Sequence, residues 1–432
     1  MDLATGELVG VASRPTTAGT DVLHGLDAAV ARATAGLPGP PERTYVCSSA
    51  GGGLRLAVVG YEQLVTAEAG HRVGLSAGAR VVHVAAGRLD PAAVRALRAA
   101  RPDVVLLVGG TDGGDAEVLA HNATRLAAAR FRVPVVLAGN ADVRPALAGV
   151  LAARGVPVTE ADNVLPRIGV LHPGPARAAI RGVFLRHVIG GKRLSHGPRF
   201  ASLVRAATPD AVLTGIELLA DHVGGDLLVV DVGGATTDVY SVLAPDAERE
   251  TGSCREVAGT LWRARTVEGD LGMRWSAPGV IEAARAERLL APGEAEPLAA
   301  AAKARADEPG LIAADPAGRA ADLRLAALAA TVALRRHARG EAIGPGGPRR
   351  GGRDLRDVAL VIGSGGVLRH APPADAGSVL GAALSDHAGG WALPRGPRVV
   401  VDADYVLAAA GLLAADHARA AVALLRRHLC PP

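Results

Sequence analysis

Leu227-Leu-Val-Val-Asp231-Val-Gly233-Gly234-Ala235-Thr236-Thr237-Asp238-Val-Tyr240-Ser241 is the stretch whose reading decides the fold. An apolar run delivers Asp231 to a strand end, and two glycines follow where backbone can approach an oxyanion. Two hydroxyls come next, then a second acid at the start of a returning strand. Backbone N–H groups in a glycine turn form an anion nest. The carboxylates suit Mg²⁺, an ion that keeps several of its waters. Asp231 and Asp238 are therefore the candidate catalytic and metal-holding residues, and Gly233, Gly234, Thr236 and Thr237 the candidate phosphate binders. Two glycines alone would read as a plain hairpin turn with a capping Asp. The ordered set behind a buried strand favours phosphate.

A second buried strand runs into glycines at Val358-Ala-Leu-Val-Ile-Gly363-Ser364-Gly365-Gly366-Val-Leu-Arg369. Here Gly363, Ser364, Gly365 and Gly366 would let the backbone lie against a nucleobase or ribose. The alternative is a tight strand-to-helix turn. Neither motif is a Walker A loop, because no lysine follows the glycines, and neither is a G-x-G-x-x-G within a short βαβ unit.

Working outward, residues 54–160 alternate between strand-length apolar runs and helical stretches. The strands are expected at Leu54–Val59, Arg80–Ala85, Asp103–Val108 and Val133–Ala138. The helices between them are expected at Tyr61–Ser76, Pro91–Ala100, Asp115–Ala129 and Val143–Arg154. Such alternation predicts parallel strands covered on both faces, a doubly wound domain whose strand carboxyl ends, including Gly109–Gly114, face a ligand or partner. At the N-terminus, Gly6–Pro15 reads as a strand and Thr20–Thr34 as a helix. They cannot make a core alone, so they are expected to join the second half of the chain, with the alternating block inserted between. Gly340–Arg353 reads as a Gly/Pro/Arg linker and Tyr405–Leu429 as one closing helix.

A chain of 432 residues is long enough for two or three domains. Hydrophobic residues at 49% and charged residues at 21% exclude disorder. No apolar run approaches the roughly 18 residues of a membrane span, and no signal peptide opens the chain. Cys47, Cys254 and Cys430 are too few and too scattered for a disulfide framework or a CxxC metal site, which fits a reducing cytoplasm. Net charge is only +4, and aromatics at 2% leave little to stack on bases, so nucleic-acid binding is disfavoured.

The two glycine loops, in this order, resemble the second phosphate loop and the adenosine loop of the actin/Hsp70/sugar-kinase ATPase superfamily. Further blocks are similar to the MutL/GlmL family, accessory proteins of coenzyme-B12-dependent glutamate (methylaspartate) mutase that are unrelated to mismatch-repair MutL. These blocks are Cys47-Ser-Ser-Ala50-Gly-Gly-Gly-Leu54-Arg, Gly109-Gly-Thr-Asp-Gly-Gly114, His121-Asn122-Ala123 and Ala138-Gly-Asn140. Arg265-Thr-Val-Glu268-Gly-Asp270-Leu-Gly272-Met-Arg274 and Asp404-Tyr405-Val-Leu-Ala-Ala-Ala-Gly411-Leu-Leu complete the set.

The resemblance implies an α/β fold of two actin-like ATPase lobes with an inserted doubly wound, Rossmann-like domain. Residues 1–44 and 164–224 would belong to the first lobe, 45–163 to the insertion and 225–432 to the second lobe. It implies ATP and Mg²⁺ as ligands. It also implies a cytoplasmic role with the subunits of a B12-dependent mutase, driving exchange of damaged cobalamin. Cobalamin itself would be met only through the mutase, because the insertion lacks an Asp-x-His-x-x-Gly cobalt-ligand motif. The insertion would engage the mutase's cobalamin subunit or serve as plain scaffold. A homo-oligomer is left open.

One feature of the family is missing. Members begin with a strand and an Asp-x-Gly-Ser/Thr-x-x-Thr-Lys hairpin, the first phosphate loop. Met1-Asp-Leu-Ala-Thr-Gly6-Glu-Leu-Val-Gly10 matches the segment just after it, and Lys192 and Lys303 are no replacements. The expectation is a start site assigned too late. If Met1 is the true start, a non-catalytic nucleotide-binding scaffold is favoured. An ATP-dependent hydantoinase or oxoprolinase is a further alternative, opposed by the blocks around Cys47 and Arg265. Glu268 and Asp270 are open to acid–base work or a structural role. His83 reads as a packed histidine, and His121 and Asn122 as loop caps or ligand contacts.

Overall fold

The computed structural model describes residues 1–17, 19–49, 54–62, 66–76, 79–189, 194–243, 263–342, 349–350, 352–387 and 390–430. Ala50–Gly53 of the Cys47 block, Lys192 and Cys254 lie outside them, as do positions 343–348 of the expected linker. The chain forms two compact units. The first gathers Met1–Leu213 and Gly411–His417, and the second Thr214–Ala244, Trp262–Ala410 and Ala418–Pro432.

In the first unit, α1 (Val22–Ala33) starts where Asp21 accepts a hydrogen bond from the Leu23 amide at 2.8 Å. Then come β1 (Val46–Ser48), β2 (Arg55–Gly60), α2 (Thr66–Ser76), β3 (Arg80–Ala86), α3 (Pro91–Ala99) and β4 (Val104–Leu107). They are followed by α4 (Glu117–Ala128), β5 (Val135–Leu137), α5 (Arg144–Ala152), β6 (Val158–Glu160), α6 (Pro173–Val183), α7 (Arg199–Leu203) and β7 (Val204–Ala207). β2 to β6 make one all-parallel sheet in the order β3-β2-β4-β5-β6.

Because strand side chains alternate in direction, Leu56, Val58, Val104 and Leu106 pack on one face with Val73 of α2 and Ile180 of α6. Ala57, Val59, Val105 and Leu107 pack on the other with Leu97 of α3, Leu126 of α4 and Leu151 of α5. Both faces are covered, so the strands are continuously apolar. Leu23 of α1, Val46 of β1 and Val204 of β7 share the first of these two cores.

In the second unit, α8 (Thr208–Val223), whose residues from Thr214 belong here, leads to the hairpin β8 (Leu227–Val232) and β9 (Thr237–Val242) and to β10 (Arg263–Glu268). Helices α9 (Ala277–Ala286), α10 (Ala295–Asp307) and α11 (Pro316–Arg339) follow. The short pair β11 (Glu341–Ala342) and β12 (Arg349–Arg350) lies in the expected linker. The chain closes with β13 (Leu360–Ser364), α12 (Gly366–His370), α13 (Pro373–Leu384), β14 (Arg398–Val401), α14 (Val406–Leu413) and α15 (Ala418–Leu429).

The sheet order is β10-β9-β8-β13-β14: an antiparallel meander of three strands, extended by two strands parallel to β8. This mixed sheet is of the α/β class expected for the second half of the chain. The small residues of α11 let it lie close against the sheet, burying Leu325–Leu334 with Leu228, Val230 and Val361.

Three expectations change. Gly6–Pro15 is not a strand: an isolated Asp2–Glu7 bridge is its one ladder contact among the described residues, and a strand without a neighbour leaves its peptide groups unbonded. The closing helix is two helices, parted at residues 414–417, where Asp416, which like Tyr45 and Arg205 belongs to the first unit, accepts hydrogen bonds from Tyr45 Oη at 2.9 Å and Arg205 Nη1 at 3.0 Å. The expected linker Gly340–Arg353 carries a short strand pair, β11 and β12, and Arg263–Glu268, for which no element was expected, is a full strand paired with β9. No described helix is long and apolar enough to cross a membrane.

Candidate functional site

β8 ends at Asp231, and the chain reverses through Gly233–Thr236, closed by a hydrogen bond from Gly233 N to Thr236 O at 2.9 Å. The strand register places Asp231 opposite Asp238 on β9 and opposite Ser364 on β13. Burial, and then the facing Asp238 carboxylate, push the Asp231 carboxyl up to about 6, against a hydrogen bond from Ser364 and the charge of Arg265. Above that pH Asp231 is ionised, and below it carries a proton. Asp238 is buried, with Oδ1 3.0 Å from Nη2 of Arg265 and Oδ2 3.3 Å from the Thr236 hydroxyl. Asp402, after β14, accepts from the amides of Val406 and Leu407 at 2.7 and 3.0 Å and so starts α14.

A second segment braces the turn. Met273 N and Arg274 N donate to the carbonyls of Gly233 and Gly234 at 2.9 and 2.7 Å. The Ser276 hydroxyl donates to Ala235 O at 2.8 Å, and the Thr237 hydroxyl to Leu271 O at 2.5 Å. Gly272 is required at this crossing, because a Cβ there would stand 2.4 Å from the Ala235 carbonyl carbon. With its carbonyls so engaged, the turn keeps its amides for something else. The N–H groups of Gly234, Ala235 and Thr236 have no acceptor among the described residues.

The turn opens on a cleft of about 700 Å³, within the usual range for small-ligand sites. Gly233 and Gly234 lie at one side, Gly366, Val367 and His370 of α12 at another, and Arg319, Asp322 and Leu323 of α11 at a third. Of the expected site residues, the cleft thus brings together Gly233, Gly234 and Gly366.

The others sit behind them. The Thr237 side chain faces Leu271, where it fixes the turn. Gly363 makes room for Leu380 and Leu368, with a Cβ position 2.6 Å from Leu380 Cδ1. Gly365, at φ 105°, passes so near β8 that a Cβ would lie 2.1 Å from Val232 O. Ser364 is buried beside Asp231. Glu268 and Asp270 both accept from Arg336, at 2.6 and 2.7 Å, a bracing arrangement. In the first unit, Asn122 is spent on Leu89 N and Gly87 O, and Asn140 on the carbonyls of Thr111 and Gly114, so these amides hold loops.

The arrangement fits a nucleotide: three unpaired amides at a glycine turn suit a phosphate group, and the cleft beside them has room for a nucleoside. No group of three or more metal-ligating side chains occurs among the described residues. A divalent ion would therefore be held through its waters, with Asp231 as a half-buried carboxylate at the end of β8. Sequence reasoning missed Arg319, Asp322 and His370. Arg319 and Asp322 lie on a helix with no local motif, and only the fold carries them to the cleft. Arg265 was within a quoted block, yet its pairing with Asp238 had no sequence signal.

A family model described as MutL protein matches residues 1–429. Protein MutL from Clostridium tetanomorphum is 34% identical over 450 residues, covering 99% of this chain and 96% of that protein. Among solved structures, an ATP-dependent caprolactamase from Pseudomonas jessenii is 15% identical, covering 91% of this chain and 66% of its own, with a TM-score of 0.32. A nucleotide-free acetone carboxylase is 14% identical at a TM-score of 0.28, covering 61% of this chain, which spans 44% of the carboxylase chain.

Proposed function

The chain belongs to the MutL family, and from that premise we propose that it binds and hydrolyses ATP to reactivate a coenzyme-B12-dependent mutase of the glutamate (methylaspartate) type, by driving exchange of damaged cobalamin. One observation carries the nucleotide part of this reading: the cleft that runs from Gly233 and Gly234, in a turn with three unpaired amides, to the start of α12.

In this reading the amides of Gly234, Ala235 and Thr236 hold phosphate oxygens, and the bracing bonds from Met273 and Arg274 keep those amides aimed before the ligand arrives. Preorganised donors cost no reorientation when charge develops on the phosphate. A bound Mg²⁺ would supply positive charge against the phosphates. Asp231, ionised above about pH 6, would order a metal-bound or attacking water. Arg265 holds the Asp238 carboxylate in an ion pair, so that Asp231 is the carboxylate left to act. The mutase, its cobalamin and a cytoplasmic setting follow from the family resemblance. ATP can remodel such a partner only if it binds one conformation of this protein more tightly than another.

Isothermal titration of ATP and ADP into the full chain, with and without Mg²⁺, tests the nucleotide reading, and absence of heat in every arm refutes it. Recovery of a glutamate mutase blocked with cyanocobalamin, dependent on ATP and on this protein, tests the partner. Nucleotide turnover without any recovery would leave the ATPase standing and remove the reactivating role.

A further inference from the structure

At the opposite, amino-terminal edge of the first unit's parallel sheet lies a cavity of about 600 Å³ lined by Arg98, Arg101, Asp103, Arg130, Phe131 and Arg132, with Pro102 and Val133. Two equivalent turns build it. α3 ends in Arg101 at φ 45° before β4, and α4 ends in Arg130 at φ 46° before β5. Both arginines hold the left-handed conformation that helix ends usually give to glycine or asparagine.

Arginines near helix C-termini often serve only to offset the helix dipole, but here that work is done by others. Arg55 donates to the carbonyls of Ala100 and Arg101 at 2.7 and 2.9 Å, and Arg98 donates to Ala129 O while its guanidinium lies 5.8 Å from the centre of the Phe131 ring. The guanidinium groups of Arg101, Arg130 and Arg132 then have neither an ion pair nor a hydrogen bond among the described residues. The cavity's one carboxylate, Asp103, accepts from the Arg55 amide at 3.0 Å. Four guanidinium groups therefore surround a concave space that holds a single acid.

We propose that this cavity binds a small anion carrying two or more oxyanion groups, phosphates or carboxylates. Guanidinium is planar, always charged and able to grip such groups through paired N–H bonds. The buried Phe131 ring fixes the floor and holds Arg98 in place. A concave volume of this size favours a small molecule over an extended protein segment. The site is on a different sheet from the nucleotide cleft and shares none of its lining residues.

The test is calorimetric titration of pyrophosphate and of citrate into the full chain at low salt without Mg²⁺. It is repeated on a variant with Arg101→Asn, Arg130→Asn and Arg132→Gln. Asparagine tolerates the left-handed backbone, and an unchanged thermal melt confirms that the variant folds. Binding of either anion should weaken at least tenfold in the variant and fall steeply with salt in the wild type, while ADP titrates as before. A dominance of pyrophosphate over citrate would assign the site to phosphates, and the reverse to carboxylates. Equal anion affinity in wild type and variant overturns the proposal. So does arginine-dependent binding of a hexaglutamate peptide where neither small anion binds.

Discussion

Asp238 and Arg265 meet diagonally across the β9–β10 pair with 3.0 Å between Oδ1 and Nη2, and their side chains are only 10% and 3% exposed. Asp231, the register partner of Asp238, feels both charges. One ion pair thus ties β9 to β10, while burial, more than either charge, raises the carboxyl of Asp231 beside it.

Removing one partner should be costly. Arg265→Met leaves Asp238 buried without its cation, at about 3–5 kcal/mol, whereas the double variant Arg265→Met/Asp238→Leu should recover most of that loss. Urea melts of the two variants decide this. A single variant as stable as the double would show that the pair contributes nothing special.

Asp231 should make stability fall as pH rises. Its folded value, about 6, lies above the 3.8 of a free carboxyl. Between those values the unfolded chain has lost its proton and the folded one has kept it, so the penalty grows from pH 4 and is complete above pH 6. Asp231→Asn should therefore be more stable than wild type at pH 7, by about 1–3 kcal/mol, with no gain at pH 4. Any ATP turnover should drop on acidification through pH 6 and by about a hundredfold or more in this variant. A flat difference in stability across pH 4–8 would contradict the assignment.

Neighbouring glycines should respond in opposite ways. Gly365→Ala forces a Cβ to within 2.1 Å of Val232 O at a positive φ, so about 2–4 kcal/mol of stability should be lost. Gly366→Ala meets nothing within 4 Å and should change stability by less than about 0.5 kcal/mol. Paired thermal melts read the contrast.

Trp275 should report on the cleft. Its indole is 66% exposed, and Cζ3 would lie 3.1 Å from a Cβ on Gly234. Tryptophan emission should change when ATP is added, and Trp275→Phe should abolish the change. A response that survives this substitution places the ligand elsewhere.

Much of this was legible in residue order. The strand before Asp231, the glycine turn and the helix periods of α2 to α5 are local patterns, because backbone geometry and side-chain alternation repeat over a few residues. Gly6–Pro15 shows the limit of that logic: its strand-like composition had no neighbour to bond with. The Thr237 hydroxyl and Gly363 show another, since both have the residue type of ligand contacts yet are used to pack Leu271 and Leu380.

By itself, the sequence determined the family, the existence of a glycine turn between two acids, and the α/β alternation of both halves. These depend on near neighbours in the chain. Only the tertiary structure decided that Arg265 would pair with Asp238, and that burial beside Asp238 would push Asp231 up to about 6. It alone carried Arg319 and Asp322 of α11 to the cleft and closed a ring of arginines at the far edge of the other sheet. Charges and cavities depend on distances in space, and those are set by which strands pair and which helices cover them.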